Sequence, residues 1–142
     1  GVDPGSEADL SISCAITPTS ASSKILIDCN LLIGSSTSFG SYLYLLRGST
    51  KILLSDTAGS RTRTSKYITT YTESGGGNQY KVADFNIKYL DSPSTTSATT
   101  YKIQAAGWNT STVYLNRCHT DNNAAEYDGR STSTITLMEV AG

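Results

Sequence analysis

The feature that most constrains the fold is an alternation of apolar and polar residues that recurs along almost the whole chain. It is clearest in residues 10–16, 25–33 and 83–89, and clusters of Ser, Thr, Gly and Asn separate these runs. A period of two is typical of β-strands with one face towards a core, and helical spacing recurs nowhere. Ser and Thr make up more than a quarter of the residues, which also disfavours helix. The sequence therefore predicts an all-β fold.

About eight strands with short connections predict a β-sandwich. A jelly roll is the commoner version, and an immunoglobulin-like sandwich is the alternative, which the absence of a Cys…Trp…Cys core disfavours. Residues 41–54 read as a hairpin with its turn at 48–50, and the strand at 83–89 is expected to be central. In the strand that follows, Tyr101, Ile103 and Ala105 form the expected inward-facing set. Tyr42, Tyr44, Tyr89 and Tyr101 fall in strands, where their rings fill either a core or a subunit interface.

The chain length fits one domain, predicted to span residues 10–142. Residues 1–9 are polar and contain Pro and Gly, so they are interpreted as a linker or a cloning remnant. The final strand, 133–142, carries Ile135, Leu137 and Val140 almost to the last residue. This ending indicates a terminal module of a longer protein, tied into its sheet by the last strand.

The three cysteines, Cys14, Cys29 and Cys118, form an odd set without the paired spacing of a metal site. If Ala21 and Ser22 are the tip of a two-residue hairpin, Cys14 lies opposite Cys29 on the core face. We expect two buried thiols that face each other rather than a disulfide.

Charge and hydropathy disfavour two classes of partner. With a net charge of −1 and 16% charged residues, the chain has no basic stripe for nucleic acid. Its apolar runs are far shorter than the roughly 20 residues that span a bilayer, so membrane insertion is not expected. No cofactor motif is present, and the Gly triplet at 75–77 lacks the Lys and the helix of a phosphate-binding loop.

No residues form a recognisable catalytic or metal-binding motif. The single His119 lies two residues from Asp121 and next to Cys118, but no sequence frame selects a nucleophilic Ser, and adjacent ligands lack metal-site spacing. Carboxylates for glycoside cleavage could come from a scattered set, namely Asp84, Asp91, Asp121, Glu126 and Asp128. We therefore expect no enzyme activity, no catalytic residue and no metal ion.

Binding of a surface polysaccharide is the more plausible chemistry, because aromatic rings and polar side chains on shallow loops are sufficient for it. The candidate ligand-binding residues are Trp108, Asn109, Tyr127 and Asp128. Trp108 follows Gly107 at a strand end, where its ring either projects from a loop or packs as an anchor.

Six segments, in this order, resemble the C-terminal domains of bacteriophage tail fibres and related virion proteins, notably those of marine and cyanobacterial phages. They are 44–52 (YLLRGSTKI), 58–63 (AGSRTR), 90–93 (LDSP), 99–104 (TTYKIQ), 116–117 (NR) and 130–139 (RSTSTITLME). The resemblance extends over about residues 10–142. It is carried by the order of the segments, since none of them is a catalytic signature.

The resemblance implies a jelly roll similar to those of C1q and tumour necrosis factor, with three copies around an axis. It also implies a location on the virion, contacts with an upstream fibre shaft or other virion proteins, and attachment to a bacterial surface glycan or receptor. A structural or capsid-decorating domain without a receptor role is the alternative. A carbohydrate-active enzyme is a further alternative, and a secreted lectin-like module would require disulfides and glycosylation at Asn109.

Overall fold

The architecture is a sandwich of two antiparallel β-sheets, given by a computed structural model that describes residues 6–36, 40–68, 77–108 and 111–142. Within these ranges there are nine strands and one short 3₁₀ turn, Gly77–Tyr80. The strands are β1 (Ala8–Ile16), β2 (Lys24–Ser35), β3 (Ser41–Arg47), β4 (Thr50–Ile52), β5 (Lys66–Ile68), β6 (Ala83–Asp91), β7 (Thr99–Gly107), β8 (Val113–Leu115) and β9 (Thr134–Val140). The predictions of an all-β fold and a β-sandwich are confirmed.

The chain passes back and forth between the two sheets. One sheet has the order β1-β7-β3-β4, with β5 also paired to β3; in the other, β2 lies between β6 on one side and β8 and β9 on the other. The predicted hairpin is confirmed as β3 and β4, in which Arg47 pairs with Thr50 across a turn at Gly48 and Ser49. No helix in the described ranges is long and apolar enough to cross a bilayer.

Alternating side chains from both sheets fill one core. From β2 they are Ile25, Ile27, Cys29, Leu31 and Ile33; facing them are Leu43, Leu45, Tyr101, Ile103 and Ala105 of β3 and β7. All of these residues are almost completely inaccessible to solvent. The alternation in the sequence therefore identified the core faces of β2 and β7 correctly, whereas in β3 the core face is formed by Leu43 and Leu45 and not by Tyr42 and Tyr44.

The predicted pairing of the first two strands is wrong. Ser20 to Ser23 form the expected turn, in which the Ser23 amide donates to the Ser20 carbonyl at 3.1 Å. Beyond the turn, however, the strands enter different sheets: Cys14 of β1 pairs with Tyr101, while Cys29 of β2 pairs with Ile87 and Ile135. All three cysteines are free thiols, and Cys14 is only partly buried.

Two further expectations concern strand positions. The strand β6 alternates as predicted, but it pairs only with β2 among the described strands and so lies at a sheet edge rather than at the centre. The final strand is confirmed as β9, which pairs with β2 from Lys24 to Asn30. At the other end of the chain, β1 begins at Ala8, two residues before the predicted start of the domain.

Candidate functional site: an aromatic cleft

An open cleft of about 740 Å³ lies on the outer face of the five-stranded sheet. Its walls come from β3, β5, the segment between β4 and β5, and the residue after β7. Three aromatic residues line it, Tyr42, Tyr67 and Trp108. The volume lies within the range of small-ligand sites, which commonly combine aromatic walls with a few polar groups.

Strand register brings the three aromatic residues to the same face. Tyr42 is the direct cross-strand partner of Tyr67 on one side and of Ala106 on the other. The side chains of Tyr42, Tyr67 and Ala106 therefore all lie on the outer face of the sheet. Trp108 lies two residues beyond Ala106 and continues that face, because its amide donates to the Gly40 carbonyl at 2.9 Å. The rings of Tyr42 and Tyr67 lie 5.3 Å apart with 30° between their planes.

The aromatic surface is accessible. Tyr67 is 56% exposed and Trp108 is 50% exposed, which are high values for large rings. Such rings present flat apolar surface to a ligand while their polar atoms stay near solvent. The cleft therefore offers a preformed stacking surface.

Gly40 allows the ring of Tyr67 to lie close to the backbone of the adjacent strand. A Cβ at Gly40 would be 2.5 Å from the Tyr67 hydroxyl and from one of its ring carbons. Any larger residue at this position would move the ring. Gly40 therefore determines where the Tyr67 ring lies in the cleft.

The segment between β4 and β5 forms the polar wall of the cleft and is held by its own hydrogen bonds. Arg63 Nε donates to the Ser55 carbonyl at 2.6 Å, and the Ser55 amide donates to the Thr64 carbonyl at 3.2 Å. The Ser65 hydroxyl accepts from the Leu45 amide at 2.9 Å and donates to the Ile52 carbonyl. These bonds fix the segment against β3 and β4 without help from a ligand.

Hydroxyl groups and cations complete the lining of the cleft. The charged residues among its described lining are Arg61 and Lys66, both cationic, and the hydroxyl residues other than tyrosine are Ser55, Ser60, Thr62, Thr64 and Ser65. Hydroxyls donate and accept hydrogen bonds, whereas Arg and Lys only donate. The wall is therefore suited to a ligand with many oxygen acceptors.

The four residues predicted to bind a ligand fall in different places. Trp108 lines the aromatic cleft, and Asn109 lies outside the described residues. Tyr127 packs against Tyr80, with ring centroids 5.2 Å apart, and Asp128 belongs to the same loop as Tyr127, between β8 and β9. Neither Tyr127 nor Asp128 lines the cleft. A role for these two residues in binding stays a prediction.

Asp128 organises the loop that contains it. Its Oδ1 accepts hydrogen bonds from the Cys118 thiol at 2.9 Å and the Thr120 hydroxyl at 2.5 Å, and its Oδ2 accepts from the Asn122 amide at 2.8 Å. These bonds, those from Cys118 and Thr120 above all, lower the pKa of the Asp128 carboxyl below its ordinary value. Both carboxylate oxygens are thus engaged within the loop.

His119 and Asp121 do not pair with each other in the described hydrogen bonds and ion pairs. His119 Nδ1 lies 3.2 Å from the Tyr114 hydroxyl, and Asp121 lies 2.7 Å from Arg130 and 3.5 Å from Arg117. Within the described ranges, no three His, Cys, Asp or Glu residues are grouped so that they could hold a metal ion. The loop geometry therefore supplies neither a catalytic triad nor a metal centre from these residues.

The carboxylates considered for glycoside cleavage fall in three places, and two of them, Asp121 and Asp128, line one cavity in the loop between β8 and β9. Asp84 accepts a 2.6 Å hydrogen bond from Asn30 on the outer face of the other sheet. Asp91 is buried against Arg47 and Tyr101, and Glu126 is exposed in the loop. None of the five carboxylates lines the aromatic cleft.

Four residues of the cleft were not among those predicted to bind a ligand, namely Tyr42, Tyr67, Arg61 and Lys66. Tyr42 was interpreted as core or interface, and no residue of the short strand that holds Tyr67 was chosen. One available signal was Tyr67 itself, a large ring between Lys66 and Ile68 in a strand that follows a long polar loop. Pairing of this ring with Tyr42 could not be predicted, because it depends on the register of β5 on β3.

Comparison with known proteins gives no family assignment. No family model matches the chain, and no curated protein matches it either.

Proposed function

We propose that this chain is a non-enzymatic glycan-binding module, and that the cleft lined by Tyr42, Tyr67 and Trp108 is its binding site. The observation that carries the proposal is the presence of two half-exposed rings, Tyr67 and Trp108, beside a wall of hydroxyl and cationic side chains. Sugar rings present apolar C–H faces that stack on aromatic rings, and their hydroxyls hydrogen-bond to polar side chains. The cleft supplies both kinds of contact.

In its biological setting, we propose that the module is the tip of a phage tail fibre or of a similar virion appendage, attached to a bacterial surface. Support comes from the sequence resemblance described above together with the β-sandwich. A jelly-roll topology and a trimer belong to the same proposal. Three shallow sites on one fibre tip would bind a polymeric surface at the same time. Their combined avidity would then exceed the affinity of any single site.

The test is binding of the purified chain to an array of bacterial surface polysaccharides, both neutral and acidic. Trp108→Ala and Tyr67→Ala are expected to weaken binding at least about tenfold, which corresponds to about 1.4 kcal/mol. Tyr80→Ala is the matched control, because it removes an exposed ring from a different aromatic pair, Tyr80 and Tyr127, neither of which lines the cleft. Absence of binding to every glycan, or equal losses in all three variants, would contradict the proposal.

Assembly is the second candidate function, and it depends on an apolar patch on the outer face of the other sheet. Leu26 lies between its cross-strand partners Leu90 and Met138, which are 45% and 48% exposed, and Val140 at 40% extends the patch. A contiguous exposed apolar surface is typical of a protein interface. The patch would contact either two further copies of the chain or another virion protein, as in a purely structural or decorating domain.

Light scattering during size exclusion tests this candidate directly. A homotrimer has three times the chain mass of 15.1 kDa. Met138→Glu introduces a charge into the patch and is expected to dissociate such a trimer, whereas Thr134→Glu, at an exposed position on the same strand, is the control. A monomer at all concentrations would argue against self-assembly and leave a virion protein as the partner.

A further inference from the structure

The described charged residues of the aromatic cleft are cationic, and this charge narrows the class of glycan that the cleft is suited to bind. We propose, on the basis of the function proposed above, that the cleft binds an acidic glycan whose sugar units carry carboxylates. Arg61 and Lys66 stand beside the stacking rings, and no Asp or Glu is among the described residues of the lining. The class of ligand is therefore a uronate-type polysaccharide rather than a neutral one.

Both cations are available to a ligand. Arg61 Nη1 donates a 3.3 Å hydrogen bond to the Ala58 carbonyl, which leaves most of its five N–H donors unused in the described part of the chain. Lys66 is exposed, and the ion pairs found among the described residues involve neither Lys66 nor Arg61. Asp56 follows Ser55 in the same segment but does not line the cleft.

The two cations can recognise a carboxylate in complementary ways. An Arg guanidinium forms two parallel hydrogen bonds with a carboxylate, and a Lys ammonium contributes a point charge. A uronic acid places its carboxylate at the rim of a sugar ring, so one ring face can stack on Tyr67 or Trp108 while the carboxylate meets a cation. The Ser and Thr hydroxyls of the wall then face the hydroxyls of the same polymer.

Single-stranded nucleic acid is the competing polyanion, because it also combines stacking with cationic contacts. The charge of the cleft and of the whole chain argues against a nucleic-acid ligand. Nucleic-acid sites follow a phosphate backbone with a basic stripe, whereas the described lining of this cleft has two cations and the chain has a net charge of −1. A short cleft that contacts only one or two carboxylates of a hydroxyl-rich polymer needs no more positive charge than this.

The experiment compares acidic polysaccharides with their own neutral forms. Polygalacturonate, alginate and hyaluronan are each presented to the wild-type chain beside the carboxyl-reduced polymer, and affinities are measured at low and at high salt. We expect at least one acidic polymer to bind about tenfold more tightly than its reduced form, with a difference that shrinks as salt screens the exposed charges. Arg61→Gln and Lys66→Gln are expected to remove most of that difference, while Lys24→Gln, on the other sheet, preserves it.

The possible outcomes distinguish the proposed preference for acidic glycans from the proposed glycan binding itself. Equal binding of acidic and reduced polymers that is lost in Trp108→Ala would overturn the acidic preference and leave glycan binding intact. Failure to bind any polysaccharide, here and on the array, would overturn both proposals. Tighter binding of oligothymidylate than of every acidic polymer would overturn the glycan assignment in favour of nucleic acid.

Discussion

The phenolic hydroxyl of Tyr101 donates a 2.7 Å hydrogen bond to Oδ2 of Asp91, and this bond joins the two sheets of the sandwich. Tyr101 lies in β7, whereas Asp91 is the last residue of β6 in the opposite sheet. Arg47 of β3 completes the cluster, with Nη1 3.0 and 2.9 Å from the two carboxylate oxygens. Burial, followed by the hydrogen bond to Asp91, raises the pKa of Tyr101.

Tyr101→Phe is expected to destabilise the fold by about 1.5–3 kcal/mol, the usual worth of a hydrogen bond to a charged group. The loss arises because Asp91, only 5% exposed, would keep Arg47 but lose its donor from β7. Urea denaturation at neutral pH measures the change in unfolding free energy. Tyr127→Phe, which removes a hydroxyl from a 54% exposed ring, is the control and is expected to change stability by less than about 0.5 kcal/mol. Equal stability of both variants would contradict a structural role for the hydrogen bond.

The same cluster illustrates what could be predicted from the sequence. Alternation along residues 99–105 identified Tyr101 as inward-facing, because each strand carries that information locally. Its partner could not be predicted, since Asp91 lies in a different sheet and becomes a neighbour only when the two layers stack. The error over Cys14 and Cys29 has the same cause: the turn was correct, but the two strands leave it towards different sheets.

The candidate site was predictable only in part, for a related reason. Trp108 was selected from its residue type and its position after Gly107. Tyr42 and Tyr67 become a ring pair through the register of β3 and β5, and Arg61 reaches the cleft through the path of a polar loop. Turn type and loop length fix the register of a tight hairpin, but β3 and β5 are not joined by one, so neither their register nor the loop path could be taken from a local pattern.

Thiol labelling of the native chain should distinguish Cys14 from the other two cysteines. Cys14 is partly buried, whereas Cys29 and Cys118 are 0% and 2% exposed. Burial, with a smaller contribution from the charge of Asp28, also raises the pKa of Cys29 to about 12, so this thiol stays protonated near neutral pH. We expect the Cys14 thiol to react fast with an aromatic disulfide reagent. The thiols of Cys29 and Cys118 should react slowly, because the structure must open before the reagent reaches them.

Two comparisons check the labelling assignment. Cys14→Ser is expected to abolish the fast phase and to leave the two slow phases unchanged. In urea above the unfolding transition, all three thiols of the wild type should react at similar rates. Three fast thiols in the native protein would contradict the burial of Cys29 and Cys118.

The hydrogen bonds to Asp128 predict a pH dependence of stability. Because the pKa of this carboxyl in the folded chain lies below the ordinary value of 3.8, the carboxylate stabilises the fold above that ordinary value. The contribution disappears as the pH falls through the lower folded pKa. Asp128→Asn should therefore be less stable than wild type near neutral pH, and the difference should shrink below about pH 4.

Urea denaturation of both proteins across this pH range provides the measurement. Glu126→Gln is the matched control, because it removes an exposed carboxylate from the same loop. This variant is expected to follow the wild-type stability profile. A constant difference between wild type and Asp128→Asn at every pH would argue against a role for ionised Asp128 in holding the loop.

Gly40→Ala tests the position of the Tyr67 ring separately from the stability of the fold. The new Cβ would meet the outer end of the Tyr67 ring at 2.5 Å. Because that ring is 56% exposed, it can swing outwards, and we expect only a small loss of stability. The ring would then leave its position 5.3 Å from Tyr42, so glycan affinity should fall about as far as in Tyr67→Ala.

Thermal unfolding and glycan binding of the same sample provide the two readouts for Gly40→Ala. Gly129→Ala is the control, since a Cβ at Gly129 would meet nothing within 4 Å, and it is expected to retain wild-type affinity. Full glycan affinity in Gly40→Ala would mean that the ligand does not use the position of the Tyr67 ring. A large fall in unfolding temperature without a binding defect would instead mean that the ring is fixed and that the strand backbone moves.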